Sequence, residues 1–374
     1  MELHSPAWQR LDALVRRDPS SRGLASYLDD DGAPLPSDLQ EAATSLVAAG
    51  TRVLLVTGFA IITPDGPRAE TDGPLGAIFL AGMLRACEIE VDIATDSLAA
   101  PLVRAALQAA AAADPSLTEI GLIEVSDAFE FDDYEAILGE GYSHLVAIER
   151  VGPNHTSASI TAQDELQLAE FEQLVKPDDR DTCRNMRGDA IDDHTPPLHW
   201  LFEFDFATDD TTEDEAVDDI DDDIDDDEAA EVEATDKEPE SLAISPFTTI
   251  GIVDGGNEIG CGNIPWQTLR KAVKTGPIAL TACRIPTDYL IVSGISNWGA
   301  YGLGSAVAAL ADRHAALLAW TAARETVILQ AIVAAGGVDG MSKRSEPSVD
   351  GVPLEPYLAT FDDIRRACLE SGDS

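Results

Sequence analysis

The chain has 374 residues and an apolar content of 45%, enough for one large domain or two ordinary ones with a full core. Its 69 acidic residues against 24 basic ones give a formal net charge of −45, which repels nucleic acid and anionic membrane surfaces and excludes both as expected partners. The acids are scattered along the whole chain, and lysine occurs only as Lys176, Lys237, Lys271, Lys274 and Lys343. This pattern points to a cytoplasm at molar salt, where a Debye length of roughly 3 Å screens self-repulsion. The acidity then describes the solvent and not the function. The five cysteines are odd in number and form no C-x-x-C pair, which fits reduced thiols. Met1 to Leu14 carries no apolar stretch of a signal peptide, and no apolar run reaches the ~18 residues of a membrane span.

In chain order, residues 7–17 have helical spacing, and 18–36 are turn-rich. A helix is expected over about 38–49, stopped by Gly50. RVLLVTGF (52–59) is a short apolar run, expected as a buried strand, followed by a loop and a helix over 76–87. Strands are expected at 90–95, 119–125 and 144–150, with helices between them. Regularity fails over 151–200, and 205–240 becomes an acidic low-complexity run expected to be a disordered insertion within a single domain spanning 1–374. Order resumes with a strand into TTIGIVDGGNEIG (248–260), a helix over 264–273 and a strand at 288–294. ISNWGAYG (295–302) reads as a loop, followed by helices from 303, over 317–335 and near 360–370. The alternation predicts an α/β fold, a mostly parallel sheet with helices on both faces in a Rossmann-like three-layer arrangement.

Three segments share one layout of buried strand, Gly-rich polar loop and helix: VLLVTGF with ETDGPLGA, GIVDGGNEIGCGN, and IVSGISNWGAYG. In open α/β sheets ligands collect outside the carboxyl ends of the strands, where helix N-termini offer free N–H groups to anions. None of the loops is a nucleotide-binding G-x-G-x-x-G or G-x-x-x-x-G-K-[ST], so no nucleotide cofactor is expected. The loop carboxylates Glu70, Asp72, Asp254 and Glu258 are candidate general bases or metal ligands, with a helix cap as the bland alternative for Asp72. Asn257, Asn263 and Asn297 offer neutral hydrogen bonds, and Trp298 suits either the core or a pocket wall. In a chain poor in bases, Arg150 and Arg187 could grip a substrate carboxylate or could pair with one of the many acids. The histidines show no zinc spacing, and no G-x-S-x-G elbow supports serine catalysis.

Together these segments resemble the D-glutamate cyclase family. The stretches that carry the resemblance are VLLVTGF (53–59), ETDGPLGA (70–77), ERVGPN (149–154), NMRGDAI (185–191), DGGNEIGCGNI (254–264), SNWGAYGL (296–303) and GGVDGMSKRSEPSVDGVPLE (336–355). The resemblance implies a lyase that converts D-glutamate to 5-oxo-D-proline with loss of water. It places the working groups at Thr57, Gly58, Thr71, Gly73, Asn185, Gly255, Gly256 and Ser296 as well as the residues above. On this reading the α-carboxylate sits on the helix N-terminus after Thr71–Gly73 or on Arg150, and Arg187 or Lys343 holds the γ-carboxylate. Asp254 or Glu258 accepts the ammonium proton, and donors near Asn257 and Asn297 stabilise the oxyanion. A divalent ion, Mn²⁺ or Mg²⁺, on Asp72, Asp254 and Glu258 could do that last job instead. A hydro-lyase or amidohydrolase acting on a related amino acid or lactam, and a non-catalytic binder of a small anion, are the alternatives. Deletion of about residues 208–238 is expected to leave folding and activity intact in molar KCl. Loss of soluble protein on that deletion, read by size-exclusion chromatography, would sink the view of this run as a solvated insertion.

Overall fold

The computed structural model describes residues 6–126, 128–204 and 246–370; the acidic run expected to be disordered lies outside them. The first half comprises α1 (Pro6–Val15), α2 (Leu39–Ala49), β1 (Arg52–Thr57), β2 (Ala60–Thr63), β3 (Gly66–Ala69), α3 (Pro74–Ala86), β4 (Glu90–Asp96), α4 (Ala100–Ala111), β5 (Gly121–Val125), α5 (Phe131–Leu138), β6 (His144–Ile148), α6 (Ser157–Asp164) and α7 (Leu168–Leu174). The second comprises β7 (Thr248–Val253), α8 (Trp266–Ala272), α9 (Ile278–Thr281), β8 (Tyr289–Val292), α10 (Ser296–Leu310), α11 (His314–Ala319), α12 (Ala322–Ala334), β9 (Ser348–Val349), β10 (Val352–Pro353) and α13 (Leu354–Leu369).

Six strands form one parallel sheet in the order β5-β4-β1-β6-β7-β8. The chain leaves β1 toward one edge, then returns to β6 and proceeds to the other edge. This is the doubly wound order, and its switch point lies between β1 and β6, where a crevice opens at the strand ends.

Alternate residues of each strand serve opposite faces, as a period of two requires. Val53, Leu55, Val146, Ile148, Ile250, Ile252 and Ile291 pack with α2, α3, α4, α10, α12 and α13 on one face. Leu54, Val56, Ala94 and Leu145 point the other way, onto α5 and the turn at Leu198 and Leu201. Ala147, Val253, Leu290 and Val292 continue that face under Phe171, Trp266 and Leu269. The expected three-layer α/β arrangement is therefore present.

α3 and α10 cross beneath the outer helices, and every residue from Pro74 to Leu84 and from Ser296 to Ala308 is buried. This corrects the loop expected at 295–302, which is the start of α10. Its glycines read as turn formers in the sequence, but they serve close packing. A Cβ at Gly299 would overlap Ile252, and one at Gly302 would lie 2.5 Å from Val15 Cγ2. The loop expected after 59 contains the β2–β3 hairpin. The helix expected over 317–335 is two helices, because Thr321 is extended and its side chain accepts from the Arg324 N–H as a new cap. The last helix starts at Leu354, not near 360, and the strands expected to reach 59 and 150 end at Thr57 and Ile148.

A carboxyl group lies deep among these helices. Glu325 is fully buried, its Oε1 accepts from Trp320 Nε1 at 3.2 Å, and burial pushes its carboxyl up from 4.5 to about 8. A folded value above the unfolded one means that the folded state holds the proton more tightly. This contribution to stability is complete below pH 4.5 and is lost as pH rises through about 8. Glu325→Gln is expected to flatten the fall in denaturation midpoint between pH 5 and pH 9. An unchanged slope would show that Glu325 does not govern it.

Candidate active site

The site is built at the switch point by two helices that cap one another. β1 ends at Thr57, and Gly58 turns the chain at φ 112 toward the hairpin, where a Cβ would lie 2.7 Å from Thr95 Oγ1. The chain returns through Glu70, Thr71, Asp72 and Gly73 into α3. Asp72 Oδ1 accepts from the N–H groups of Gly73 at 3.0 Å and Asn297 at 2.8 Å, and Oδ2 accepts from Ser296 N–H at 3.0 Å. Asp72 thus caps α10 as well as its own turn. In return, Asn297 Oδ1 accepts from the N–H groups of Gly73 at 2.9 Å and Gly76 at 2.7 Å and so caps α3. The long motifs ETDGPLGA and SNWGAYGL are the two halves of this joint. Thr71 fastens it to the C-terminal segment by donating from Oγ1 to the Ser348 carbonyl at 2.8 Å.

The neighbouring strands add more carboxylates. Glu149 follows β6 with a left-handed φ of 47, and its Oε2 accepts from Ser296 Oγ at 2.6 Å. Asp254 follows β7; its Oδ2 accepts from Ser296 N–H at 3.1 Å and pairs with Arg22. Glu258 closes the glycine turn, accepting from Gly255 N–H at 2.9 Å and Gly256 N–H at 2.8 Å. The same Nη2 of Arg22 pairs with Asp350. Asp350 lies on a loop organised by Asp339, which accepts from Met341, Ser342 and Gly351 N–H groups and from Ser348 Oγ.

A cavity of about 80 Å³ opens against part of this group. Arg22, Glu70, Glu149 and Asp350 line it, Asn185, Arg187 and Lys343 add further polar lining, and Phe59, Ile61 and Met341 contribute apolar wall. Burial raises the proton affinity of Glu70, Glu149 and Asp254, and the surrounding carboxylates add to it; Arg22 opposes the rise in all three. Burial and then Asp350 push Asp72 up to about 8, against the N–H groups of Asn297 and Gly73 and the charge of Arg22. Burial works against the charge on Arg22, but Asp254 and Asp350 outweigh it and hold the guanidinium well above its ordinary value.

The structure brings Glu70, Asp72, Asp254 and Glu258 together, as the loops suggested. Thr57, Gly58, Thr71, Gly73, Gly255, Gly256, Ser296 and Asn297 form the framework beneath the cavity, and Trp298 is a core residue stacked on Tyr357. Asn185 folds onto its own turn, accepting from the N–H groups of Arg187 and Asp189. Lys343 donates to the Ile62 carbonyl, and Arg187 has no paired carboxylate among the described residues. Of the candidate residues, Glu70, Asn185, Arg187 and Lys343 line the cavity; Asp72, Asp254 and Glu258 are not part of its lining, and three others are committed elsewhere. Arg150 is engaged through Nη1 and Nη2 in the alternative foreseen for it, an ion pair with Asp96, with donation to the Gly58 and Pro196 carbonyls. Asn263 clamps the chain before β8 through the Thr287 N–H and carbonyl, and Asn257 donates to the Arg184 carbonyl. Sequence reasoning missed Arg22, Glu149, Asp339 and Asp350. Glu149, Asp339 and Asp350 lie inside stretches already singled out, and Arg22 could have been flagged only by the scarcity of bases.

Two buried sets of carboxylates, Asp72 with Asp254 and Asp350, and Glu149 with Asp254 and Glu258, place oxygens within 4.8 Å of one another and could hold a metal ion. Asp254 Oδ1 is buried and has no hydrogen-bond partner among the described residues, which fits that chemistry.

The sequence model described as D-glutamate cyclase-like, C-terminal, matches residues 11–177 and 230–365. Asn185 and Arg187 fall between the two matched stretches. The mitochondrial D-glutamate cyclase of Homo sapiens is 27% identical over 306 residues, covering 80% of this chain and 38% of that protein. The chain therefore spans well under half the length of this curated relative.

Replacing Arg22 with methionine leaves Asp254 and Asp350 buried without their cation. It is expected to destabilise the protein by about 3–5 kcal/mol in denaturant titration. A loss of a few tenths would show that protons or another cation already balance these carboxylates.

Proposed function

Since this chain belongs to the D-glutamate cyclase-like family over most of its length, we propose that its cavity closes D-glutamate into 5-oxo-D-proline with release of water. The observation that supports this reading most is one small cavity holding cations for a dicarboxylate, Arg22, Arg187 and Lys343, beside acids of raised proton affinity.

The chemistry needs an amine that has lost its proton and a γ-oxygen that leaves as water. The nitrogen loses two protons between ammonium and lactam, and the water carries away two, so the protein only relays them. Glu149 lines the cavity and is held by Ser296 Oγ, which suits it to that relay. Burial keeps its affinity for a proton high, closer to that of the amine it serves. Asp254 and Glu258 are set further back by their bonds to Arg22 and to the glycine N–H groups, so we assign them to holding the site in shape. Arg187 and Lys343, on the outer lining, hold the γ-carboxylate. A hard divalent ion on either carboxylate set, Mn²⁺ or Mg²⁺, would supply positive charge for the oxyanion.

The test is proton NMR of the purified chain in molar KCl with D- or L-glutamate, with and without Mn²⁺ or Mg²⁺. Growth of 5-oxoproline signals from the D-isomer is the expected result, and Glu149→Gln should lower kcat by about 100-fold or more. No conversion by folded protein under any of these conditions would overturn the reading.

A further inference from the structure

Two residues that line the cavity each carry a buried polar atom with no hydrogen-bond partner among the described residues, and the two atoms are chemical opposites. Arg22 Nε is a buried donor, and Glu70 Oε1 is a buried acceptor. Both residues line the cavity, at 6% and 3% exposure. Buried polar groups are rarely left unpaired, because losing water without gaining a partner costs about 1–3 kcal/mol. The fold also fixes both side chains in place. Arg22 is pinned through Nη2 to Asp254 and Asp350. Glu70 is pressed by the loop of Asp339, since a Cβ at Gly340 would overlap its Oε2.

We infer that Arg22 and Glu70 together read the amino-acid head of the ligand, Arg22 taking the α-carboxylate and Glu70 the α-ammonium. The inference rests on the reaction proposed above and deepens it by fixing which end of the substrate enters first. Other anion sites at these strand ends are largely filled. The α3 N–H groups of Gly73 and Gly76 are taken by Asn297, and Nη1 and Nη2 of Arg150 by Asp96 and two carbonyls; Arg150 Nε is unpartnered among the described residues but lies on a side chain that does not line the cavity. With the head on the floor of the cavity, the distal carboxylate faces Arg187 and Lys343. Three charged contacts at separate points fix the configuration at the α-carbon. They also favour an acidic amino acid over a simple dicarboxylate or a simple amine.

The test is calorimetric titration of the full chain in molar KCl with D-glutamate, glutarate and 4-aminobutanoate. Glutarate lacks the amine, and 4-aminobutanoate lacks the α-carboxylate. The wild type should bind each at least about tenfold more weakly than D-glutamate, the loss expected for one charged hydrogen bond. Glu70→Gln should weaken D-glutamate by a similar factor and leave glutarate unchanged. Arg22→Lys should weaken D-glutamate and leave 4-aminobutanoate unchanged. The ligand series on the wild type and the Glu70→Gln variant stand by themselves if Arg22→Lys does not fold. A wild type that converts D-glutamate yet binds glutarate equally well, or a Glu70→Gln variant that weakens both ligands alike, overturns the head assignment alone. A wild type that neither binds nor converts any acidic amino acid overturns the proposed reaction and the head assignment with it.

Discussion

Asp72 and Asn297 each cap the helix that the other begins, and the rest of the site hangs from that exchange. A helix start leaves unsatisfied N–H groups, and burying two such starts side by side would be costly without acceptors. Neither N-cap residue, Gly73 nor Ile295, makes a side-chain cap of its own. Each helix borrows its acceptor from the other strand end, so neither can be well formed until both have docked. This ties the loop after β3 to the loop after β8 across the sheet. It also places Ser296 where its N–H and hydroxyl reach Asp72, Asp254 and Glu149 together.

Around that joint the protein gathers Glu70, Asp72, Glu149, Asp254, Glu258 and Asp350 in its interior with Arg22 among them. A surface carboxylate in molar salt is screened at a few ångströms, whereas a buried one is not. The acidic surface and the acidic site therefore obey different physics despite their shared composition. The surface acids need only solvent and counter-ions. The interior acids need protons, backbone N–H groups, Arg22 or a bound cation, and the raised proton affinities of Glu70, Asp72, Glu149 and Asp254 record how far the protein alone falls short.

Arg22 also joins parts of the chain far apart in sequence. It comes from the turn-rich segment after α1, and its carboxylates come from the end of β7 and from the loop before β10. The cavity is closed by the two ends of the fold meeting over the middle of the sheet. The loop of Asp339 contributes Lys343 and Asp350 because its carboxylate collects four donors and so folds the segment back on itself.

The alternation of apolar runs and helical spacing was enough to specify the parallel sheet with helices on both faces, because periods of two and 3.6 are local properties. Glu70, Asp72, Asp254 and Glu258 were legible because they follow apolar runs in glycine-rich loops, where strand ends present their side chains. The glycines of SNWGAYG were misread as a loop, since a glycine needed for close packing looks the same in sequence as one needed for a turn. Arg150 and Arg187 were equivalent on paper, and only the folded chain gave Arg150 to Asp96 and left Arg187 on the cavity lining. Arg22, Glu149 and Asp350 gain their roles from contacts between residues at least 147 positions apart. Such partnerships are decided by how elements pack, and no periodicity or spacing along the chain encodes them.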